Sequence, residues 1–363
     1  LFLLDYSQYS SFLMCPWKWY ESYVQGMSPR YSGQRSDPLC LGSLVHNGLD
    51  NYSKSGRPEI DMTCLTDNNP TPETYRIAQM MCEGYVQKYP RERWEVESTE
   101  EAVQFPYAWC KTCNHQAVCD EGEHCLGCGS DTIPVAGIAK LDGQFYVPED
   151  TTIESGLPGQ TLTLSRGWWS REYKTKSPGI DRSVWLAEWA SKRQADFQIL
   201  ALQHRLEETP RHSGDDISVQ GVLVSVLEKP RQYTPKRKCK GCGETWELDS
   251  FRPTATGHAC PMCGAEQKIK PYVPTVVPTP EFFRIVVTRS PQQLETSRRE
   301  FAMVAEAMEQ MRVLGKEIAI PNRDNCISNR YHKKCEYAEQ HIGGLPVAEP
   351  QFVKVDPFKY LGI

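Results

Sequence analysis

Apolar residues recur at helical spacing over residues 5–25, where Tyr9, Leu13, Trp17, Tyr20 and Val24 share a largely aromatic face that stops near Gly26. Two more helices follow, one at 42–55 ending at Gly56 and one at about 72–89 closing at Pro90. The period then shortens to β-like runs at Ala102–Trp109, Ile133–Tyr146 and Thr161–Lys174, with a Gly/Pro-broken stretch around 148–160. Helical spacing returns from about 181 to 207. There Trp185, Trp189, Phe197, Leu200 and Ala201 carry an apolar face across a break, with Gln194, Gln198 and Arg205 on the polar side. A strand at Ile217–Leu227, a return strand at Phe282–Thr288 and a long helix at about 291–314 complete the pattern. The order helices, strands, helix, strands, helix predicts a mixed α/β fold with a central sheet, not a repeat array or a helical bundle.

Composition narrows the class. The chain has 363 residues, 39% hydrophobic and 24% charged, which suits one large core and excludes a disordered or collagen-like protein. No apolar run approaches the roughly 18–20 residues of a membrane helix, and Leu1-Phe2-Leu3-Leu4-Asp5 is too short for a signal-peptide core. The expectation is a soluble, cytoplasmic protein with no membrane partner. The opening on Leu1 rather than Met suggests a trimmed start. With 41 Lys and Arg against 46 Asp and Glu, the net charge of −5 gives no global attraction to nucleic acid, so any such binding must come from local patches.

Fifteen cysteines are many for this length, and their spacing separates metal ligation from disulfides. Cys110-Lys-Thr-Cys113 with Cys125-Leu-Gly-Cys128 forms one pair of C-x-x-C units, and Cys239-Lys-Gly-Cys242 with Cys260-Pro-Met-Cys263 a second. A two-residue spacer lets both thiolates of a knuckle reach one zinc ion at about 2.3 Å, and an all-sulfur site leaves no open position for chemistry. Two structural zinc ribbons are expected, at 108–131 and 236–268, each inserted at a hairpin tip. Cys119, His115 and His124 are spare groups in the first, so its ligand set stays open. Cys40, Cys64 and Cys82 have no partner spacing and read as buried or free thiols.

Arg171-Glu172-Tyr173-Lys174-Thr175 ends a strand-like run, and alternation puts Glu172 and Lys174 on one face. Gly137-Ile-Ala-Lys-Leu-Asp142-Gly143 places a second acid at a strand end, which a hairpin would bring beside Glu172. Two carboxylates at one point repel unless a cation joins them, and hard oxygen ligands suit Mg²⁺ or Mn²⁺. The lysine would then stabilise developing charge or position an attacking water. Taken alone, an acidic-x-Lys tripeptide is also what a solvated strand shows by chance.

The neighbours make the pattern more specific. An N-terminal helix with Cys15-Pro16 and aromatics, Gly42-Ser-Leu-Val-His46, Asp142 after a strand, the Glu172-x-Lys174 strand and a helix carrying Gln198 occur in this order. Together they resemble the RecB-like branch of the PD-(D/E)XK nucleases, which includes CRISPR-associated and AddB-type iron–sulfur exonucleases. The resemblance spans nearly the whole chain apart from the ribbons, and implies a single nuclease domain over 1–363 with a restriction-endonuclease-like α/β core, a mixed central sheet flanked by helices, and its site at the edge where the sheet splits. It implies His46, Asp142 and Glu172 as metal ligands with the Tyr173 carbonyl, Lys174 as catalytic lysine and Gln198 as a helper orienting the site or the DNA. The family often has Tyr four residues after the Gln, where this chain has Leu202.

Several members of that branch hold a four-iron, four-sulfur cluster on one N-terminal and three C-terminal cysteines. Here Cys15 matches the first and Cys326 and Cys335 match two of the others. The usual spacing puts the last on His341, with His332 as a fallback, in a metal-binding segment at 321–345. Three readings stand: a Cys₃His iron–sulfur cluster, a third zinc, or a remnant without metal.

Lys229, Arg231, Lys236, Arg237, Lys238 and Lys240 crowd the approach to the second ribbon, with Tyr233 among them. They read either as a phosphate-binding arm or as a solvated stalk. Trp168 and Trp169 read equally as core or as a stacking platform.

The resemblance implies a Mg²⁺- or Mn²⁺-dependent DNA nuclease acting on single-stranded or end-bearing DNA, with exonuclease action favoured. Its setting would be bacterial or phage, in recombination, repair, replication or CRISPR-type processing. The rivals are an RNA-directed nuclease and a non-catalytic scaffold whose ribbons recruit DNA or a protein partner.

Overall fold

The computed structural model describes residues 3–29, 37–61, 70–90, 94–118, 124–177, 181–208, 218–230, 236–247, 251–254, 256–269, 279–318, 335–343, 347 and 352–358. After a short strand β1 (Leu3–Leu4), the aromatic N-terminal stretch is not one helix. It forms α1 (Tyr6–Met14), α2 (Pro16–Trp19) and a π turn (Tyr20–Val24). The break falls at Cys15, which is extended at φ −162° and ψ 102°, because a residue before proline is driven out of the helical region. Strand β2 (Met27–Pro29) and helices α3 (Asp37–Ser55) and α4 (Pro72–Lys88) follow, the last started by a Thr71 cap with Pro72 at its first position.

The β region holds β3 (Glu95–Ser98), β4 (Glu101–Cys110), β5 (His115–Ala117), β6 (Thr132–Leu141), β7 (Gly143–Val147), β8 (Thr151–Glu154), β9 (Thr161–Leu164) and β10 (Gly167–Lys176). Helices α5 (Arg182–Ser191) and α6 (Arg193–Glu208) are separated by extended Lys192, and cross from β10 to the parallel strand β11 (Val219–Glu228). The second ribbon carries β12 (Lys236–Lys238), β13 (Thr245–Glu247), β14 (Arg252–Pro253), β15 (His258–Ala259) and β16 (Glu266–Gln267). It lies between β11 and its antiparallel partner β17 (Glu281–Val287). Helix α7 (Pro291–Leu314) starts in a Ser290–Gln293 capping box and ends at Gly315; α8 (Ala338–Gly343) and β18 (Phe352–Lys354) close the chain. Among the described residues no helix is long and apolar enough to cross a membrane.

The fold is mixed α/β, but the expected central sheet is two sheets. One has the order β17-β11-β10-β7-β3, the other β1-β6-β4-β5. The expected single runs at Ile133–Tyr146 and Thr161–Lys174 each divide, the first at Asp142 and the second between Leu164 and Gly167. Beyond Asp142 the chain leaves β4 and pairs with β10, so one continuous apolar pattern serves two sheets.

Helices α3 and α4 cover one face of the five-stranded sheet through Leu44, Val45, Met81, Tyr85 and Tyr173. Gly48 makes this close: a Cβ there would lie 2.8 Å from Cys82 Sγ. On the other face α6 and α7 bury Phe197, Leu200, Phe301 and Met308 beneath α1, each worth roughly 1.5–3 kcal/mol of burial. Trp168 and Trp169 are both core, on opposite faces of β10. Cys40 and Cys82 are buried and outside both four-cysteine clusters, and Cys64 lies outside the described residues.

Candidate active site and metal centres

Strand β7 stops pairing with β10 at Gly143–Arg171, and among the described residues no strand pairs with the rest of that β10 edge. Asp142, the next residue, fills the gap: its Oδ2 accepts the Tyr173 amide at 2.7 Å, a ladder donor that would otherwise lack a partner. Alternation sends Glu172 and Lys174 towards α6, where they form an ion pair, and sends Tyr173 into the α3–α4 core. Gln194 Nε2 donates to Glu172 Oε1 at 2.7 Å, and Gln198 Nε2 donates to Glu172 Oε2. From the opposite side α3 delivers His46, whose Nδ1 is 3.4 Å from Asp142 Oδ1. The structure thus gathers His46, Asp142, Glu172, Lys174 and Gln198 at one sheet edge from four segments distant in sequence.

Glu100 joins them and was not marked by sequence. Its Oε1 is 3.6 Å from His46 Nδ1 and its Oε2 is 2.6 Å from Lys140 Nζ. It sits in the two-residue link between β3 and β4, where the chain changes sheet, with φ at +54°, a conformation costly for a residue with a Cβ. The turn is held by Glu101, which accepts from Ser98 Oγ at 2.7 Å and pairs with Arg205.

His46, Glu100 and Asp142 each offer a ligand atom, all within 4.8 Å of one another. Ligands on opposite sides of an ion at about 2.1 Å are about 4.2 Å apart, so a small closure would fit Mg²⁺ or Mn²⁺. Glu172, expected as a ligand, has its carboxylate engaged by Lys174 and two glutamines and lies outside this group of three, which includes Glu100. Tyr173 contributes its backbone amide to Asp142.

Charge explains the protonation pattern. Burial depresses the His46 imidazole, but the Asp142 carboxylate beside it more than offsets this and carries it to about 10. Burial likewise pushes Asp142 up, and protonated His46, Lys174 and the Tyr173 amide outweigh it, leaving Asp142 low. Glu172 is raised by burial and by the Asp142 charge, only partly relieved by Lys174. Burial lowers Lys174, but Glu172 and Asp142 hold it high. A proton on His46 therefore offsets the Asp142 charge at this edge.

This yields a pH prediction. His46 is raised in the folded state, so its contribution to stability is full below about 6.5 and is lost as pH rises through about 10. The metal-free protein is expected to lose melting temperature between pH 7 and 10, and His46→Gln to flatten that slope. Over the same range Mn²⁺ affinity should rise about tenfold per pH unit, one proton leaving per ion bound. Glu100→Gln should weaken Mn²⁺ binding by about tenfold or more. Calorimetric titration at several pH values checks both, and a pH-independent affinity would sink the assignment.

The four sulfurs of Cys110, Cys113, Cys125 and Cys128 form one cluster, with Cys110–Cys128 at 3.5 Å and Cys113–Cys125 at 3.8 Å. Cys239, Cys242, Cys260 and Cys263 form the other, with contacts of 3.6 and 3.8 Å. Tetrahedral zinc with bonds of about 2.3 Å needs sulfurs about 3.8 Å apart, so both clusters fit zinc ribbons. His124 pairs with Asp131 at 2.9 Å and His115 Nδ1 meets the Gln116 carbonyl at 2.7 Å, which leaves the first site to its four cysteines; Cys119 lies outside the described residues. A hydrogen bond from Ser130 draws the Cys128 thiol down to about 6, and the Cys242 amide does the same for Cys239, so each site has a thiolate ready at neutral pH.

At the chain ends, Lys18 pairs with Glu336 at 2.6 Å, Ser22 Oγ lies 3.0 Å from Tyr337 Oη, and β18 pairs with β2. Burial and then the neighbouring Glu336 carboxylate raise the Cys335 thiol, opposed by the Tyr337 amide and Lys18, with Cys15 among its neighbours. Cys326, His332 and the His341 side chain lie outside the described residues. So do Arg231, Tyr233 and the Lys236 side chain of the basic arm, whereas Arg237, Lys238 and Lys240 are exposed on the second ribbon and Lys229 is half-buried where β11 ends.

No protein-family model matches the chain, and no curated protein matches it significantly.

Proposed function

We propose that this chain is a divalent-metal-dependent nuclease on a RecB-like PD-(D/E)XK core, hydrolysing phosphodiester bonds in single-stranded or end-bearing DNA. The observation that carries the reading is the convergence of His46, Asp142, Glu172, Lys174 and Gln198 on one edge of β10. A fold-stabilising network has no need of two buried carboxylates beside a third, Glu100, held in a costly backbone conformation. The parallel β10–β11 pair, joined by α5 and α6 and bordered by antiparallel β7, agrees with the mixed sheet that the resemblance implies.

His46, Asp142 and Glu100 would hold Mg²⁺ or Mn²⁺, with Glu172 beside them. The bound cation would supply Lewis acidity and draw the phosphate to the site. Lys174 places a positive charge at the solvent-facing side of Glu172, where negative charge grows on the phosphoryl oxygens. Glu172, raised by its surroundings, suits proton transfer from an attacking water. Gln194 and Gln198 fix the Glu172 carboxylate plane.

The zinc ribbons would act as grips. Arg237, Lys238 and Lys240 on the second suit phosphate contacts that raise affinity without reading sequence. The terminal site would staple the chain ends through Cys15, Cys335, Cys326 and His341 as an iron–sulfur cluster. Anaerobically purified protein should then hold about four irons per chain with a broad visible absorbance, both lost in Cys15→Ala. Zinc in their place identifies a third zinc site; no metal identifies a remnant.

The deciding experiment incubates the protein with end-labelled single- and double-stranded DNA, and matched RNA, with Mn²⁺, Mg²⁺ or neither. Metal-dependent cleavage of DNA supports the proposal. Preference for RNA moves the substrate class, and no cleavage moves the function to the ribbons as recruiting modules.

A further inference from the structure

Two links between the sheets meet at the candidate active site. Strand β3 pairs with β7 as far as Ser98–Gln144, and β4 takes up β6 at Glu101–Leu141. Thr99-Glu100 and Asp142-Gly143 lie between those registers, so Glu100 and Asp142 both stand where the chain passes from one sheet to the other. Asp142 is anchored there by the Tyr173 amide. Glu100 is anchored by side chains, with Oε2 on Lys140 at 2.6 Å and Oε1 turned to His46 at 3.6 Å. Its backbone, at φ +54°, keeps that conformation only if the residues on either side are held.

They are held by a connected set of side chains. The Glu101 carboxylate accepts from Ser98 Oγ at 2.7 Å and from Gln144 Nε2 at 3.2 Å, and Gln144, 1% exposed, also reaches Ser98 Oγ. From α6, Arg205 pairs with Glu101. Arg205 follows Gln194 by eleven residues and Gln198 by seven, close to three helical turns and two, so all three lie on one stripe of the helix. One end of the stripe holds the Glu172 carboxylate; the other, about 10 Å along the axis, holds the link that carries Glu100. The Arg205 and Glu101 side chains are 15% and 37% exposed, and an ion pair this open to water adds little to stability.

Resting on the metal-dependent reading above, we infer that Arg205 is a positioning residue for the divalent cation. Acting through Glu101, it fixes the link between β3 and β4 so that Glu100 faces His46 and Asp142. Helix α6 thereby sets two carboxylates of the site at once, Glu172 directly and Glu100 through the link. Partners that orient a metal ligand without touching the metal change affinity by about 10–100-fold when removed.

The test titrates Mn²⁺ alone, without DNA, into the wild type, Arg205→Gln, Glu100→Gln and the double variant, by calorimetry and by the loss of the free Mn²⁺ electron-spin resonance signal. Arg205→Gln should bind about tenfold more weakly than wild type, with a melting temperature within a few degrees of it. The sign is informative. Taking away a positive charge would by Coulomb attraction alone strengthen cation binding, so a loss reports a misplaced ligand. The double variant should bind no more than about threefold more weakly than Glu100→Gln, because Arg205 then has no ligand to position. Arg205→Lys, which keeps the charge on the stripe, should recover affinity to within about threefold of wild type.

Unchanged or tighter Mn²⁺ binding in Arg205→Gln, beside a weakened Glu100→Gln, would overturn the positioning role and leave the metal site standing. Losses that multiply in the double variant, to about a hundredfold, would overturn it too, since Arg205 would then act on something other than Glu100. A wild type that takes up no Mn²⁺ would overturn the metal-dependent reading, and the positioning role with it. If Arg205→Gln does not fold, Glu101→Gln takes its place in the same cycle, with a loss of about tenfold expected alone and no comparable further loss beside Glu100→Gln.

Discussion

Lys174→Ala should reduce metal-dependent DNA cleavage by about a thousandfold, and Glu172→Gln by at least as much, with DNA binding within about threefold of wild type. The two residues share one face of β10 and pair with each other, yet their surroundings differ. Glu172 is 2% exposed and its side chain is anchored on α6, whereas the Lys174 side chain is about a third exposed at 29%. Removing the lysine therefore leaves Glu172 held by Gln194 and Gln198, and folding should survive with a melting temperature within a few degrees of wild type. Its positive charge, however, partly opposes the upward push of burial and Asp142 on the Glu172 pKa. Lys174→Ala should thus carry a second signature: the residual activity shifts to higher pH, because Glu172 ionises later. Glu172→Gln keeps volume and one of the two acceptors for α6 but abolishes that titration altogether. Rates for Lys174→Ala within threefold of wild type, or a pH profile unchanged from it, would remove the lysine and carboxylate from the chemistry.

The site was legible in part, and the reasons are local. Glu172 and Lys174 followed from strand alternation, and Asp142 from its place at a strand end, because a period of two fixes which side chains share a face. His46 and Gln198 look like ordinary helix positions, and only the order of the motifs around them sets them apart. Glu100 carried no signal. It lies in Ser98-Thr99-Glu100-Glu101, which reads as a polar turn, and its place beside His46 goes with a positive φ in the link where the chain passes from one sheet to the other.

The same junction hid the split sheet. Apolar residues run on through Leu141-Asp142-Gly143, and nothing in their period says that β6 pairs with β4 while β7 pairs with β10. The break at Cys15 is written in Pro16, but the aromatic face continues across it and masks the change of helix. The cysteine clusters were the most legible feature, since a two-residue spacer constrains the sulfurs almost independently of the rest of the fold.

Losing one cysteine should have different consequences in the two ribbons. The first is built into the domain. The β4–β6 ladder runs without interruption to Cys110–Thr132, at the knuckle itself. Around it, the Tyr107 hydroxyl donates to the Arg298 carbonyl at 2.7 Å, Lys111 pairs with Glu306 at 2.6 Å, and the Gln116 amide donates to Glu295 at 3.1 Å, all on α7. The second ribbon has its own small core of Cys239, Phe251 and Cys260, and among the described residues its strands pair only with one another. Zinc binding by such small units supplies about 10–16 kcal/mol, most of which is the free energy of folding them.

Cys110→Ser should therefore lower the main melting transition by many degrees, because the end of the four-stranded sheet and its packing on α7 go with the metal. Cys239→Ser should leave that transition nearly unchanged, release one zinc per chain and unfold 236–268 alone. Its effect should appear in binding instead. Arg237, Lys238 and Lys240 would no longer be presented together, and at about 0.7 per single-strand phosphate the salt dependence of DNA affinity should fall by about two in slope. Scanning calorimetry with zinc analysis, and binding over a range of salt, separate the two. A main transition lowered equally by both substitutions would mean that the second ribbon is as much part of the core as the first, and an unchanged salt slope in Cys239→Ser would take the basic arm away from DNA.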